Sequence, residues 1–214
     1  IDKRWVNDLC DKINNSKLKN KIKWVANSRV RPLEYETLEI MKNAGCWLVA
    51  FGFESGSPET LKKIKKGATI EDNIKAAEFT KKAGLKLYGF YLVGLPWENN
   101  EHLKMTEKHI FETNPDFLEL HIAVPYYGTE LYELAERENL IKTPIIGQNY
   151  FEESSTGTKY LSDKDLINFR KKIITKFHLR PTYIYKKMME TKFNYKIMYN
   201  YSKYGLRLIK NLMK

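Results

Sequence analysis

The sequence has few cysteines and histidines and no long apolar run. Its two cysteines, Cys10 and Cys46, form neither a disulfide framework nor a zinc motif, so a reducing cytoplasm is the expected compartment. The four histidines show no HxxxH or HExxH spacing, which leaves a zinc hydrolase without support. No segment approaches the roughly 20 apolar residues of a membrane span. An apolar content of 43% fits a globular protein.

Acidic residues are scarce in the last quarter of the chain. Residues 164–214 contain 14 Lys and Arg but only two acids, a net charge of +12. The remaining residues carry 23 basic and 24 acidic side chains and are nearly neutral. Within the basic quarter, residues 192–214 place cations beside an apolar stripe at helical spacing. We predict a helix that packs on the rest of the protein. The alternatives are weak contact with an anionic membrane, peripheral to its inner face, and, third, binding of nucleic acid.

Two segments repeat one pattern of helix, glycine and apolar strand. They read EYETLEIMKNAGCWLVAFG and IKAAEFTKKAGLKLYGFYLVG, and their glycines, Gly45 and Gly84, are 39 residues apart. Near-continuous apolar strands that alternate with helices are typical of a parallel sheet covered by helices. Further strands are predicted at 22–28 and 116–124. The predicted class is α/β, with four strands that form an open sheet or part of a larger barrel.

The second predicted strand ends in a carboxylate, Glu54. Ligand sites in βα folds lie at the carboxyl ends of strands. Period-two alternation places the bulky residues Trp47, Val49, Phe51 and Phe53 on one face, under helices. The opposite face narrows from Cys46 and Leu48 through Ala50 and Gly52 to Glu54. The two hydroxyls of a ribose would satisfy this carboxylate, which can only accept hydrogen bonds. The alternative, equally open, is that Glu54 caps the next helix or pairs with Arg29.

Three segments in this order carry a resemblance to a known family: MKNAGCWLVAFGFESGSPETLKKIKKG, AGLKLYGFYLVGLPWE and VPYYGTELYELAERENL. They resemble the radical S-adenosylmethionine (SAM) enzymes, and more narrowly the subgroup with an upstream cobalamin-binding domain. The resemblance covers roughly residues 1–190. It implies a partial (β/α)6 TIM-like barrel of which this chain holds the third to sixth βα units, followed by C-terminal helices. On this basis we expect barrel over 1–140, a loop and helical extension over 141–190, and a basic tail over 191–214.

The resemblance also implies cofactors and site residues. A 4Fe–4S cluster reduces SAM to a 5′-deoxyadenosyl radical, and cobalamin supports methyl transfer or a cyclisation in the subgroup. Arg29 is expected to meet the SAM carboxylate or to pair with Glu54. The other expected SAM-binding residues are Gly52, Glu54 and Ser55 at the ribose, Gly94, Leu95, Pro96 and Glu98 in the turn beside the adenine, and Val124, Pro125 and Tyr126 at the adenine edge. The implied partners are a small-molecule or lipid-linked substrate and an electron donor such as flavodoxin or ferredoxin.

The chain departs from the family pattern in one large respect. The CxxxCxxC loop that holds the cluster is absent, and Cys10 and Cys46 are predicted to be small buried hydrophobes. We therefore expect the cluster ligands to lie outside these residues and the 214 residues alone to be inactive. The competing interpretation is a non-catalytic βα domain that binds a nucleotide or an anionic polymer.

The histidines support two lesser predictions. His102 and His109 lie seven residues apart on a polar helix pattern and are predicted to be at the surface. His121 and Glu119 share one face of the fourth predicted strand, where they either line a substrate chamber or form a satisfied buried pair.

Overall fold

A computed structural model describes residues 2–142, 154, 156–192 and 194–212. The chain divides into two compact units. The first unit comprises residues 1–93 and 98–121, and the second comprises residues 94–97 and 122–214.

Helices separate the strands as far as the fourth strand, as the sequence predicts, and four described helices follow it. In chain order the described elements are α1 (Lys3–Asn14), β1 (Trp24–Ser28), α2 (Tyr35–Asn43), β2 (Cys46–Glu54), α3 (Pro58–Lys63), α4 (Ile70–Lys82), β3 (Lys86–Val93), α5 (Asn100–Thr113), β4 (Phe117–Ile122), α6 (Glu130–Arg137), α7 (Asp163–His178), α8 (Pro181–Glu190) and α9 (Tyr195–Leu212).

Local capping groups determine where several helices begin. The Ser57 hydroxyl accepts the Thr60 N–H at the start of α3, with Pro58 in the first turn. Thr69 and Asp72 form a reciprocal capping box on α4, and Ser162 with Asp165 forms another on α7. Residues within one turn of each other therefore set the starts of these three helices.

The four strands form one parallel sheet in the order β1-β2-β3-β4. The first unit contains this sheet except for the last residue of β4. Side chains of β2 and β3 that point toward the helices are fully buried, among them Phe51, Phe53 and Tyr91. Phe53 and Tyr91 both contact the ring of His109 on α5. The predicted α/β class, with four strands that form part of a barrel, is confirmed.

Two irregularities in β2 change the predicted faces. Trp24 pairs with Cys46 and Val25 with Leu48, so Trp47 is skipped in the register with β1. The bulge turns Trp47 outward, where it is 39% exposed, and the prediction that it packs under helices is wrong. A second shift near the end of β2 skips Phe53 in the register with β3.

The surface position predicted for His102 and His109 is also wrong. Both side chains are buried, on the face of α5 that includes Thr106 and Thr113. His102 closes the capping box of α5 by accepting the Asn99 N–H at 3.2 Å. His109 Nδ1 is joined to the Tyr91 hydroxyl at 2.9 Å. The polar residues around them in the sequence concealed the spacing of the buried face.

The second unit contains the basic helices. Leu166, Ile173 and Phe177 bury one side of α7, and α9 packs against this helix. Tyr204 of α9 contacts His178 of α7, with ring centroids 5.5 Å apart. This contact supports the packing role predicted for the tail, of which residues 193 and 213–214 lie outside the described part. None of the described helices is long and apolar enough to cross a membrane.

Candidate functional site

The end of β2 is a tight turn centred on Glu54. The Ser55 N–H donates to the Phe53 carbonyl at 2.8 Å, an i to i+2 hydrogen bond. Glu54 has a φ of +63°, in the left-handed region that favours glycine. A residue with a side chain held in such a conformation costs of order 1–3 kcal/mol, and such positions cluster at functional sites. Six described residues other than glycine have a positive φ, and among them Glu54 is the one that ends a buried strand.

Buried polar contacts hold this turn in place. Asn73 Nδ2 of α4 donates to the Phe53 carbonyl at 3.1 Å. Thr106 Oγ1 of α5 accepts the Gly56 N–H at 3.1 Å and lies 3.1 Å from the Ser55 hydroxyl. A Cβ on Gly56 would overlap the carbonyl oxygen of α5 at position 105, so only glycine fits there. Two helices thus fix the backbone on either side of Glu54.

Ser55 is a buried part of this turn. Its side chain is completely buried, and its hydroxyl lies against Thr106 and accepts the Ser57 N–H at 3.1 Å. Contact of Ser55 with a ribose stays a prediction. In this structure Ser55 positions the turn.

Lys66 is the partner of the Glu54 carboxylate. Lys66 Nζ lies 2.6 Å from Glu54 Oε1, and both side chains are about a quarter exposed. Gly52 lies beneath the carboxylate, and a Cβ there would overlap Oε1. Neither alternative role of Glu54 is found, because Ser57 caps the next helix and Arg29 is exposed and forms no ion pair with the described residues. Glu54 Oε2 accepts no hydrogen bond from the described part of the chain, so it keeps its capacity to accept.

Glu98 lies inside the first unit rather than at its surface. Its side chain is completely buried, and Oε1 accepts the hydroxyl of Thr60 on α3 at 3.1 Å. A buried carboxylate requires hydrogen bonds to offset its desolvation. Glu98 thus anchors its turn to the start of α3.

The remaining expected site residues belong to the second unit. Gly94 has a φ of +87°, and a Cβ there would lie 2.9 Å from Leu166 Cδ1. The Pro96 carbonyl accepts the Lys159 N–H at 2.9 Å. Gly94, Pro96 and Pro125 line a crevice of about 10 Å³, which has room for about one water molecule. Leu95 is buried, Val124 is half-buried and Tyr126 is exposed. Contact of these residues with an adenine stays a prediction.

The two cysteines do not fit an iron–sulfur cluster. Both are buried, and burial raises the pKa of Cys46 to about 11 and also raises that of Cys10. Cluster ligands are thiolates, so neither residue is suited to that role. The described residues contain no group of three His, Cys, Asp or Glu side chains that could hold a metal ion. The expectation of small buried residues is confirmed for both cysteines.

Two features of the first unit were missed from the sequence alone. One is Lys66, twelve residues after Glu54, whose signal was the basic end of the helix that follows the strand. The other is Tyr88, which donates to Glu119 Oε2 at 2.7 Å. Glu119 Oε1 lies 2.7 Å from His121 Nε2, so the predicted pair exists, but it is partly exposed rather than buried.

The chain is similar to proteins of known families. Residues 5–110 match the family model of the Radical SAM superfamily. An uncharacterised methyltransferase from Pyrococcus horikoshii is 33% identical over 169 residues, which are 79% of this chain and 37% of that protein. The chain spans about a third of the length of the curated relatives it matches.

Two solved structures share the fold. Coproporphyrinogen III oxidase (HemN) from Escherichia coli, a radical SAM enzyme, aligns with a TM-score of 0.60 and 16% identity over 83% of this chain and 38% of that one. The radical SAM methyltransferase TsrM from Kitasatospora setae, solved with cobalamin and a [4Fe–4S] cluster, aligns with a TM-score of 0.56 and 18% identity over 66% of this chain and 29% of that one.

Proposed function

Because the chain belongs to the radical SAM superfamily, we propose that the protein is a radical SAM enzyme in which Glu54 binds the ribose of SAM. The observation that carries the proposal is the strained turn at Glu54, which two helices hold and which presents a carboxylate over Gly52. Strain of this kind persists only where the surrounding structure determines it, and it points to function.

The chain's own residues bind and orient in this proposal. Lys66 holds Glu54 Oε1, which fixes the carboxylate and leaves Oε2 to accept from the ribose hydroxyls. Ser55 and Glu98 are buried, and their hydrogen bonds to Thr106 and Thr60 hold the turns that follow β2 and β3. When a 4Fe–4S cluster is bound, it supplies the electron that cleaves SAM. The two cysteines of this chain do not suit that cluster, so its ligands are sought elsewhere in the full-length protein.

The relatives support methyl transfer as the reaction class. One is named a methyltransferase, and TsrM is a methyltransferase that binds cobalamin. We therefore favour cobalamin-assisted methyl transfer, with a cyclisation as the alternative outcome. The proposal also includes a small-molecule or lipid-linked substrate, an electron donor of the flavodoxin or ferredoxin type, and a reducing cytoplasm as the location.

The direct test is SAM binding by the anaerobically reconstituted full-length protein. Glu54→Gln keeps the size of the side chain and removes its charge. We expect SAM affinity measured by calorimetry to fall by about 10- to 100-fold, which corresponds to about 1.4–2.8 kcal/mol for charge-assisted hydrogen bonds.

Glu34→Gln is the matched control, because Glu34 is an exposed carboxylate of the same unit that pairs with Lys3. It should leave SAM affinity unchanged. Wild-type affinity in Glu54→Gln together with a lower melting temperature would assign Glu54 a purely structural role and refute the proposal.

A further inference from the structure

One face of the sheet in the first unit carries side chains that point away from the described helices. Along β3 and β4, half-buried residues alternate with buried ones. The buried set packs toward the helices, as Tyr91 does against His109 and Thr113 of α5. The half-buried set, which includes Tyr88, Phe90 and Glu119, therefore lies on the opposite face.

Three half-buried rings on this face form an aromatic platform, which we define as Tyr88, Phe90 and Phe117. The Tyr88 and Phe90 rings are stacked, with centroids 4.7 Å apart and planes inclined by 27°. Tyr88 and Phe117 are stacked across two strands at 5.8 Å and 25°. Partly exposed rings in this arrangement offer flat apolar area to a flat group.

The strand beside the platform carries only small side chains at these levels. Ala50 of β2 pairs with Tyr88, and Gly52 pairs with Phe90. Neighbouring residues of paired strands lie side by side on the same face, so the platform adjoins a low floor. The Glu54 turn limits this floor at the carboxyl end of β2, because the Glu54 carboxylate lies over Gly52.

A fixed carboxylate borders the other side of the platform. Glu119 accepts from the Tyr88 hydroxyl at 2.7 Å through Oε2 and lies 2.7 Å from His121 Nε2 through Oε1. The Glu119 side chain is still 28% exposed. A carboxylate has about four lone-pair positions, so Glu119 can accept a further donor without losing these two contacts. Tyr88 and His121 fix the orientation of the Glu119 carboxylate, so less side-chain entropy is lost when a ligand binds.

We propose that this face binds a planar aromatic or heteroaromatic group that carries a cationic or N–H donor. The ring stacks on the aromatic platform, and the donor binds Glu119. Lys86 at the start of β3 is paired with Asp116 at 3.2 Å, so it adds little charge to oppose a cation. The assignment of this compound as the substrate rests on the proposed function, whereas its binding does not.

Three small probes separate the two contributions on the full chain: 2-phenylethylamine, 2-cyclohexylethylamine and 2-phenylethanol. Dissociation constants are measured by ligand-observed NMR titration. We expect 2-phenylethylamine to bind most tightly, because it alone combines a ring with a cation. Phe90→Leu should weaken it by about two- to tenfold, the range for one aromatic contact, and Phe90→Tyr should restore it. Glu119→Gln should weaken the amine by about tenfold and leave 2-phenylethanol unchanged.

Phe79→Leu is the matched control, because it removes a half-buried ring from α4 on the helical side of the same unit. Equal effects of Phe90→Leu and Phe79→Leu, equal affinity for the cyclohexyl and phenyl amines, or no binding of any probe would each overturn the proposal. Glu54→Gln distinguishes the two proposals, since it should lower SAM affinity by about 10- to 100-fold without changing the affinity for the amine.

Discussion

The conformation of Glu54 makes an unusual stability prediction. At most positions, alanine is more favourable than glycine, because glycine loses more conformational freedom on folding. At a φ of +63°, alanine instead carries about 1–2 kcal/mol of steric strain, which glycine lacks. Alanine also restricts the unfolded chain more than glycine does, which stabilises the folded alanine variant by about 0.4–1 kcal/mol. The balance favours Glu54→Gly over Glu54→Ala by about 1 kcal/mol.

The comparison of these two variants isolates the backbone term. Both lose the ion pair with Lys66, so its contribution, about 0.2–1 kcal/mol for a partly exposed pair, cancels in the difference. Urea unfolding followed by circular dichroism gives the free energy of unfolding of each variant. Glu78, exposed in the middle of α4, provides the control position, where Glu78→Gly should be less stable than Glu78→Ala by about 1 kcal/mol.

The sign of the difference decides the outcome. Opposite signs at positions 54 and 78 would establish that the turn is strained in solution. If Glu54→Gly were the less stable variant, as at position 78, the strain argument for a functional carboxylate would fail.

Two further predictions concern the helices. Burial lowers the pKa of His109 to about 4, so the unfolded chain binds a proton before the folded protein does as the pH falls below about 6.5. Through this group, the free energy of unfolding should drop by about 2 kcal/mol from pH 7.5 to pH 5. His109→Gln should lose that part of the pH dependence. The same pH dependence in the wild type and in His109→Gln would contradict the role assigned to His109. Because α9 packs on α7, removing residues 191–214 should lower the free energy of unfolding. Neither the full chain nor the truncated chain should float with anionic vesicles. Vesicle binding by the full chain but not by the truncated chain would favour the membrane role instead.

Local interactions made much of the fold predictable. The capping boxes at Thr69 and Ser162 join residues three positions apart, so the sequence contains both partners. Glycines with positive φ, such as Gly45 and Gly84, follow α2 and α4 because other residues rarely adopt that conformation. Apolar runs between these signals were enough to predict four parallel strands.

The prediction of which face of the sheet a side chain occupies was wrong where a bulge adds an unpaired residue to a strand. Period-two alternation assumes an unbroken ladder, and the bulge at Trp47 interrupts it. His109 was misassigned for a related reason, since helix burial depends on which face meets the sheet, and polar neighbours obscured that face.

The sequence by itself determined that Glu54 ends a buried strand, because strand and turn propensities act between near neighbours. Only the tertiary structure decided its partner, because the chain must fold back after α3 to place Lys66 beside the carboxylate. The same holds for Tyr88 and Glu119, which lie 31 residues apart and meet only because sheet packing places them on one face. Propensity acts along the chain, whereas a binding site is built from groups that the chain brings together across space.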